Sequence, residues 1–379
     1  MNTPRILFYV QHLLGIGHLV RASRVAGALR AAGCEVAVIS GGVPVRGFPG
    51  EGIESIEIPA IKSVDEAFSK LVDARGEAVG DSLWDLRRKQ LLSLLEARRP
   101  DILMIEAFPF GRRQMRNEIL AIVEAARALM PRPLVISSVR DILQENRKPG
   151  RAEETIDTLN ALFDHVLVHG DPRFARLEET FPRAGEIGCG ISYTGLVAGP
   201  EPGIPAERFA VLVSAGGGAA GGRLIDAALQ AAQRLATSQS PWCIITGPNF
   251  VHAGAIPSHV KIQGFRPDLP SLLAGASLSV SQAGYNTVCD ILRARCRSIL
   301  VPFASGGETE QAMRAAKLAH LKLAHVLPES ALDSETLIAA IGTAQAQKPG
   351  TSHGLDLEGA RHSAEILLRL AALRRGRSA

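Results

Sequence analysis

The chain has 379 residues, 46% of them hydrophobic and 21% charged, far more than one usual domain of about 100–150 residues and well supplied with core-forming side chains. A mainly disordered chain and a small disulfide-stapled scaffold are both excluded. Net charge is only +4, from 42 basic against 38 acidic residues, and aromatic residues make up 4%. The chain therefore lacks both the broad basic surface and the stacking rings of a nucleic-acid binder, and no nucleic-acid partner is expected.

Residues 5–11 read as a buried strand, reached from Met1 without a signal-peptide core or cleavage site, so a cytoplasmic protein is expected. No apolar stretch reaches the about 18–20 residues that a membrane span needs. The loop GIGHLVR at 15–21 follows and opens a helix on which Ala22, Val25, Ala26 and Leu29 fall at helical spacing, with Gly33 as its C-terminal cap. A dinucleotide fingerprint would want glycine where Arg21 stands and an acidic residue ending the next strand, where Ser40-Gly41-Gly42 occurs, so NAD and FAD are disfavoured. What remains is a tight turn in which Gly17 lets a ligand approach backbone amides. His18, at the helix N-terminus, is the first candidate for a general base, with a solvent-exposed turn histidine as the alternative.

Further strands at 35–40, 101–107, 134–139 and 166–169, and a weaker one at 55–58, alternate with helical patterns. That alternation is the mark of a parallel sheet covered on both faces, and the class is α/β. Glu106 and Asp141 stand at or just beyond strand ends and are the reserve candidates for the base. His165 and His169 have a chelating helical spacing, but Val166, Leu167 and Val168 between them read as strand, and no metal site is predicted. Five scattered cysteines without a CxxC pair fit reduced structural thiols.

The Gly- and Pro-rich stretch 195–205 can continue neither element type and serves as the boundary between domains 1–196 and 207–379. Beyond it, strands at 210–214, 243–246, 260–263, 278–281 and 298–301 begin a second α/β series. Two Rossmann-like halves place a ligand cleft between them, faced by the carboxyl ends of both sheets. The run SAGGGAAGGR at 214–223 exposes several amides at a helix start and reads as a phosphate cradle, or else as a flexible loop; it lacks the ending of a P-loop. In SQAGYNTVCD at 281–290 a strand, the Gly284 turn and a helix beginning near Asn286 form a second anion site, with Asp290 one turn in and able to accept from a ribose diol. Glu308, Glu310 and Gln311 follow the last strand and can hold sugar hydroxyls, although a solvated loop is the alternative for Glu310.

At 281–319 the sequence SQAGYNTVCDILRARCRSILVPFASGGETEQAMRAAKLA resembles the nucleotide-sugar signature of the GT-B glycosyltransferases of family 28, the MurG type. GGAAGGR at 217–223 and GFRPDL at 264–269 extend the resemblance over most of the second half, and GIGHLVR carries it into the first. EAFPFGRR at 106–113 and SSVRDIL at 137–143 are similar to local signatures of a bacterial subgroup of predicted glycosyltransferases. The resemblance implies that Gly217 and Gly218 hold the donor diphosphate and that Phe265 and Arg266 border a uracil-like base. It further implies that Asn286 and Thr287 assist the phosphates, Asp290 takes the ribose hydroxyls where the family commonly has Glu, and Gln311 holds the sugar. The chain departs from the pattern at Ala219 and Ala220, and Glu308-Thr309-Glu310 is one residue longer than the expected spacing, which makes Glu308 the weaker assignment.

So read, the chain is an inverting transferase that moves a hexose or N-acetylhexosamine from a UDP-sugar, its co-substrate, to a glycan, lipid-linked or small hydroxyl acceptor. There is no DxD motif, and amides at two helix starts can stabilise the leaving diphosphate, so metal and cofactor independence are expected. GHxxR at 17–21 is also similar to nucleotide-sugar hydrolases of the PseG type, and a non-catalytic nucleotide-sugar binder would keep the glycine cradles without needing His18. The basic amphipathic segment 360–375 reads either as a helix packing across the domains or as a weak peripheral contact with the anionic inner face of a membrane.

Overall fold

The computed structural model describes residues 3–65, 68, 70–144, 148–215, 221–235, 241–246, 256–304, 307–346 and 353–377. Contacts divide the chain into two units, Met1–Val197 with Leu355–Ala379, and Ala198–Gly354. The first unit begins β1 (Arg5–Val10), α1 (Gly17–Ala31), β2 (Glu35–Ser40), β3 (Glu54–Glu57) and a small antiparallel pair, β4 (Ile61–Ser63) and β5 (Leu71–Asp73). It continues α2 (Asp81–Arg98), β6 (Ile102–Glu106), α3 (Arg116–Ala128), β7 (Leu134–Arg140), α4 (Arg151–Leu162), β8 (His165–His169) and β9 (Gly190–Tyr193). Seven strands form one parallel sheet in the order β3-β2-β1-β6-β7-β8-β9. Apolar side chains on both faces explain this: Ile6 to Val10 and Ile102 to Ile105 are buried without alternation, as a sheet covered by helices on both sides requires. The strand order reverses between β1 and β6, and ligands of such sheets bind at that reversal, outside the carboxyl ends of the strands.

The second unit repeats the plan with β10 (Val211–Ser214), α5 (Gly222–Arg234), β11 (Trp242–Ile245), β12 (Val260–Gln263), α6 (Leu269–Gly275), β13 (Leu278–Ser281), α7 (Tyr285–Ala294), β14 (Ser298–Leu300), α8 (Glu310–His320), β15 (His325–Val326) and α9 (Ser334–Ala346). Its sheet is also parallel, in the order β12-β11-β10-β13-β14-β15, and reverses between β10 and β13.

The final helix, α10 (Gly359–Arg377), falls in the first unit; the sequence reading bounded the second domain at 207–379 and allowed its last helix to pack back on the first. It packs on α1 in the first unit, burying Ala364, Leu367 and Ala371. The approach segment is tied there by backbone bonds from Leu196 N to Asp356 O (2.8 Å) and from Gly359 N to Leu196 O (3.0 Å). Arg374 and Arg375 pair with Asp164 and Asp101 at 3.4 and 3.3 Å. The face that lies against protein is that of Ala364, Leu367 and Ala371, whereas Leu373 of the apolar stripe read from the sequence is 59% exposed.

A buried charge cluster joins α2, α3 and the end of β1. Arg87 donates to both oxygens of Glu118, Nη2 to Oε1 at 2.6 Å and Nε to Oε2 at 2.8 Å, and further to Gln11 Oε1 at 2.8 Å and Gly41 O at 3.0 Å. Tyr9 OH donates to Glu118 Oε1 at 2.5 Å. Removing one partner of such a pair strands the other charge out of water, at a cost of about 3–5 kcal/mol. Glu118→Ala should therefore destabilise the first unit by about that much, and adding Arg87→Met should recover a large part. Trp84 lies on α2 with the Arg87 guanidinium 6.0 Å from its ring centroid. In a Trp242→Phe background its fluorescence during urea unfolding reads out this unit, and equal stability of Glu118→Ala and its parent would contradict the assignment.

Candidate active site

The loop after β1 ends at Ile16, and α1 starts at Gly17 without an acidic residue or a side-chain cap in its first turn. His18 and Arg21 are three apart on this helix and so share a face. Both reach Glu106, the last residue of β6, on the other side of the strand-order reversal. His18 Nδ1 lies 3.0 Å from Glu106 Oε1, and Arg21 Nη2 forms an ion pair with the same oxygen. Ser138 Oγ, opposite Glu106 in the β6–β7 register, donates to the other oxygen, Oε2, at 2.6 Å. Glu106 is fully buried. Burial alone would raise its carboxyl pKa, but the Arg21 charge, with hydrogen bonds from His18 and Ser138, outweighs this and holds it well below the usual carboxylate range.

An ionised carboxylate only accepts, so His18 Nδ1 is the donor. Arg21 Nη2 also lies 3.2 Å from that nitrogen, and this contact is two donors converging on one oxygen. Nε2 of His18 then carries the lone pair and has no hydrogen-bond partner among the described residues. The ring is 14% exposed, enough for one edge to meet a ligand. Burial, followed by the neighbouring Arg112 charge, lowers the His18 pKa well below the ordinary value, against the opposing pull of Glu106. The imidazole is neutral at pH 7 and able to accept a proton.

The chain following Glu106 is shaped around this group. Ala107 and Arg112 both hold left-handed backbone, φ 65° and 58°, a conformation that costs roughly 1–2 kcal/mol at a non-glycine residue. Arg112 Nε donates to Gln11 O at 2.8 Å, which brings the guanidinium to the carboxyl end of β1. Burial and the nearby Arg140 lower the Arg112 pKa to about 10. Asp141, just past β7, is also fully buried; its Oδ1 accepts from Ile142 N at 2.8 Å. Gly170 backs directly onto it, since a Cβ there would stand 2.6 Å from that of Asp141. The structure thus brings His18 and Glu106 into contact and sets Asp141 against Gly170.

In the second unit, Gly284 is the extended residue before α7, with φ −64° and ψ 148°, and it opens the first-turn amides of Tyr285, Asn286 and Thr287. Arg314, buried on α8, anchors this turn. It donates to Ala283 O at 3.1 Å, pairs with Glu310 Oε1 at 2.8 Å and lies 5.6 Å from the Tyr285 ring centroid. Asp290 is buried on α7. Phe265, just past β12, is 58% exposed, as a stacking surface would be. Arg266 beside it is engaged by Asp268, through two bonds of 2.6 Å, and by Glu207 at 3.1 Å. Gln311 Oε1 accepts from Phe303 N at 3.1 Å, and Glu308 Oε1 accepts from Glu310 N at 2.8 Å, so both side chains brace the loop after β14. Gly217 and Gly218, with Ala219 and Ala220, lie outside the described residues. Sequence reasoning assigned no role here to Ser138, His169, Arg112 or Arg314, although Arg112 and Ser138 lie in the quoted runs 106–113 and 137–143 and Arg314 stands at i,i+4 from Glu310.

Comparison with known proteins assigns the architecture. Residues 211–353, within the second unit, match the model of the glycosyltransferase family 28 C-terminal domain. A UDP-N-acetylglucosamine--N-acetylmuramyl-(pentapeptide) pyrophosphoryl-undecaprenol N-acetylglucosamine transferase from Methylococcus capsulatus is 27% identical over 86% of this chain and 85% of its own. A relative of the same name from Lachnoclostridium phytofermentans is 31% identical over 22% of this chain, and the aligned part spans about a quarter, 24%, of that relative's length. Among solved structures, the calicheamicin glycosyltransferase CalG4 matches with a TM-score of 0.63 at 16% identity, covering 99% of this chain and 98% of its own. MurG of Acinetobacter baumannii matches with 0.55 at 16% identity, covering 98% and 99%. The fold is that of the GT-B glycosyltransferases, two Rossmann-like units in one chain.

The buried histidines of the first unit give it a defined acid response. His169 is held neutral by burial and by the Arg21 charge, which lower its pKa to about 3, and an unfolded histidine titrates near about 6.5. Below that pH the unfolded chain takes up a proton that the folded chain refuses, so stability falls with falling pH, by up to about 1.4 kcal/mol per pH unit. His169→Gln should flatten this slope between pH 6.5 and 4, measured by urea unfolding followed through Trp84; an unchanged slope would show that His169 is not held neutral.

Proposed function

We propose that the protein is an inverting glycosyltransferase that moves a hexose or N-acetylhexosamine from a UDP-sugar to a hydroxyl acceptor without a metal ion. The observation that carries this reading is the His18–Glu106 pair at the strand reversal of the first unit. Its geometry leaves Nε2 of a neutral imidazole without a hydrogen-bond partner among the described residues, beside an ionised carboxylate. The family 28 domain of the second unit supports a nucleotide-sugar donor. The name of the relatives, which transfer N-acetylglucosamine to an undecaprenol-linked pyrophosphoryl acceptor, supports UDP and includes a lipid-linked acceptor among the candidates.

In this mechanism the acceptor hydroxyl gives its proton to His18 Nε2 while its oxygen bonds to the anomeric carbon from the face opposite the leaving group. The bond from that carbon to the diphosphate oxygen breaks, and UDP departs with the electron pair. Glu106 stabilises the imidazolium that forms and keeps Nδ1–H pointed away from the acceptor. The charge growing on the diphosphate meets the amides at the start of α7, and Gly217 and Gly218 are the residues of the 214–223 run assigned to the same diphosphate. Asp290 is the residue assigned to the ribose hydroxyls, and Phe265 to the base.

General-base help of this kind is worth roughly 10²–10⁴-fold. His18→Ala should lower turnover by that factor while the dissociation constant for UDP, measured by calorimetry, stays within about twofold. The assay is UDP release from a panel of UDP-sugars with and without hydroxyl acceptors, and EDTA should leave the rate unchanged. Release without any acceptor would identify a hydrolase in which water takes the acceptor's place, and no release with tight UDP binding would identify a non-catalytic binder.

A further inference from the structure

We infer that Ser138 and His169 are positioning residues, members of a one-way hydrogen-bond array that holds Glu106 and, through it, fixes which nitrogen of His18 carries the proton. The array is continuous. Glu106 Oε2 accepts from Ser138 Oγ at 2.6 Å, Ser138 Oγ lies 2.9 Å from His169 Nε2, and His169 Nδ1 lies 3.0 Å from Thr194 Oγ1. Ser138, His169 and Thr194 are all buried, so water cannot substitute for any of them.

Proton counting sets the direction. The carboxylate has no proton to give, so the single hydroxyl proton of Ser138 goes to Glu106. The Ser138 oxygen can then only accept from His169, which places that ring's proton on Nε2. With Nε2 protonated and the ring neutral, Nδ1 is an acceptor facing the Thr194 hydroxyl, whose single proton is shared between it and Gly195 O, 2.8 Å away. The protons of His169 and Ser138 therefore both point toward Glu106, and His18 donates into the same carboxylate from the opposite side. The array supplies the one bond on Oε2, whereas His18 and Arg21 share Oε1. Without it Oε2 would be a buried, unsatisfied charge, free to recover a partner by rotating toward Arg21 and releasing His18 Nδ1.

The backbone shows why this register is held. Ser138 stands opposite Glu106 between β6 and β7, and Thr194 N donates to Val168 O at 3.0 Å, next to His169 on β8. Thr194 is in turn fastened to the end of the chain, since its carbonyl meets His362 Nδ1 on α10 at 3.0 Å. Three adjacent strands and the last helix thus converge on one carboxylate oxygen.

The catalytic use of the array rests on the reading of His18 as the base, but its test does not. In the full-length protein with ¹⁵N-labelled histidine rings, long-range ¹H–¹⁵N correlation shows which nitrogen of each ring is protonated, and His18→Gln identifies the His18 signals. The wild type should show His18 in the Nδ1–H form. Ser138→Ala and His169→Phe should lower its ratio of Nδ1–H to Nε2–H about tenfold, the effect of losing one charge-assisted hydrogen bond. His169→Gln, whose amide can donate to Ser138, should restore the ratio to within about twofold. A His18 ratio unchanged in Ser138→Ala overturns the inference, as does an equal effect of His169→Gln and His169→Phe. Ser138→Ala carries the test if His169→Phe does not fold. Absent sugar transfer with these tautomer shifts intact would defeat the transferase reading alone; insensitive tautomers with an inactive His18→Ala would defeat the array alone.

Discussion

The first unit is organised around a carboxylate that has no business being ionised where it lies. Glu106 is fully out of water, and desolvation of a carboxylate costs several kcal/mol even after relaxation. It stays charged because Arg21 pairs with it and because both of its oxygens are occupied by donors from different elements, α1 and β7. The constraint runs outward from there. α1 must begin at Gly17 so that His18 and Arg21, one turn apart, can reach the same oxygen. β7 must pair with β6 in the register that sets Ser138 opposite Glu106, and the chain after Glu106 must turn at once through a left-handed residue, Ala107.

A second buried carboxylate, Glu118, shows the same chemistry used only for structure. It too is matched by an arginine and by a neutral hydroxyl, Arg87 and Tyr9, and it too lies beside β1. The difference is the ring. Every donor around Glu118 is spent on the protein, whereas His18 turns one nitrogen toward Glu106 and keeps the other without a partner among the described residues. A candidate site and a structural clamp of nearly identical composition thus differ in the ring nitrogen that the clamp lacks, which composition alone does not reveal.

Much of the fold was legible because both sheets are buried on two faces, so their central strands read as unbroken apolar runs: ILFYV, ILMIE and VLVS stand out without any alternation. The elements that escaped are short and lie at edges, where burial is partial and the run is too brief: β9 is four half-exposed residues beginning with glycine, and β15 is two. The home of α10 stayed open for another reason. A stripe of Ala364, Leu367 and Ala371 suits any apolar partner, and nothing local specifies α1. Within the site, His18 and Glu106 were legible singly, as polar residues at strand ends, but their contact depends on strand order and register. Ser138 and His169 read as ordinary members of buried strands for the same reason: which strand lies beside which is a property of the whole chain.

The same logic explains why the glycine loops alone underdetermine the second unit. A glycine permits backbone to be approached, but it does not hold the backbone still, and an anion site needs amides that do not reorganise when charge arrives. At Gly284 the stillness is supplied from a distance by Arg314, whose guanidinium fixes the preceding carbonyl while Glu310 neutralises it within α8. The cation therefore braces the turn through its carbonyl. In the first unit Arg21 does the corresponding work for His18, neutralising a buried charge so that the neighbouring group can face a ligand. In both halves a buried arginine is matched locally, by Glu106 in one and by Glu310 in the other, beside the group that the sequence assigns to substrate.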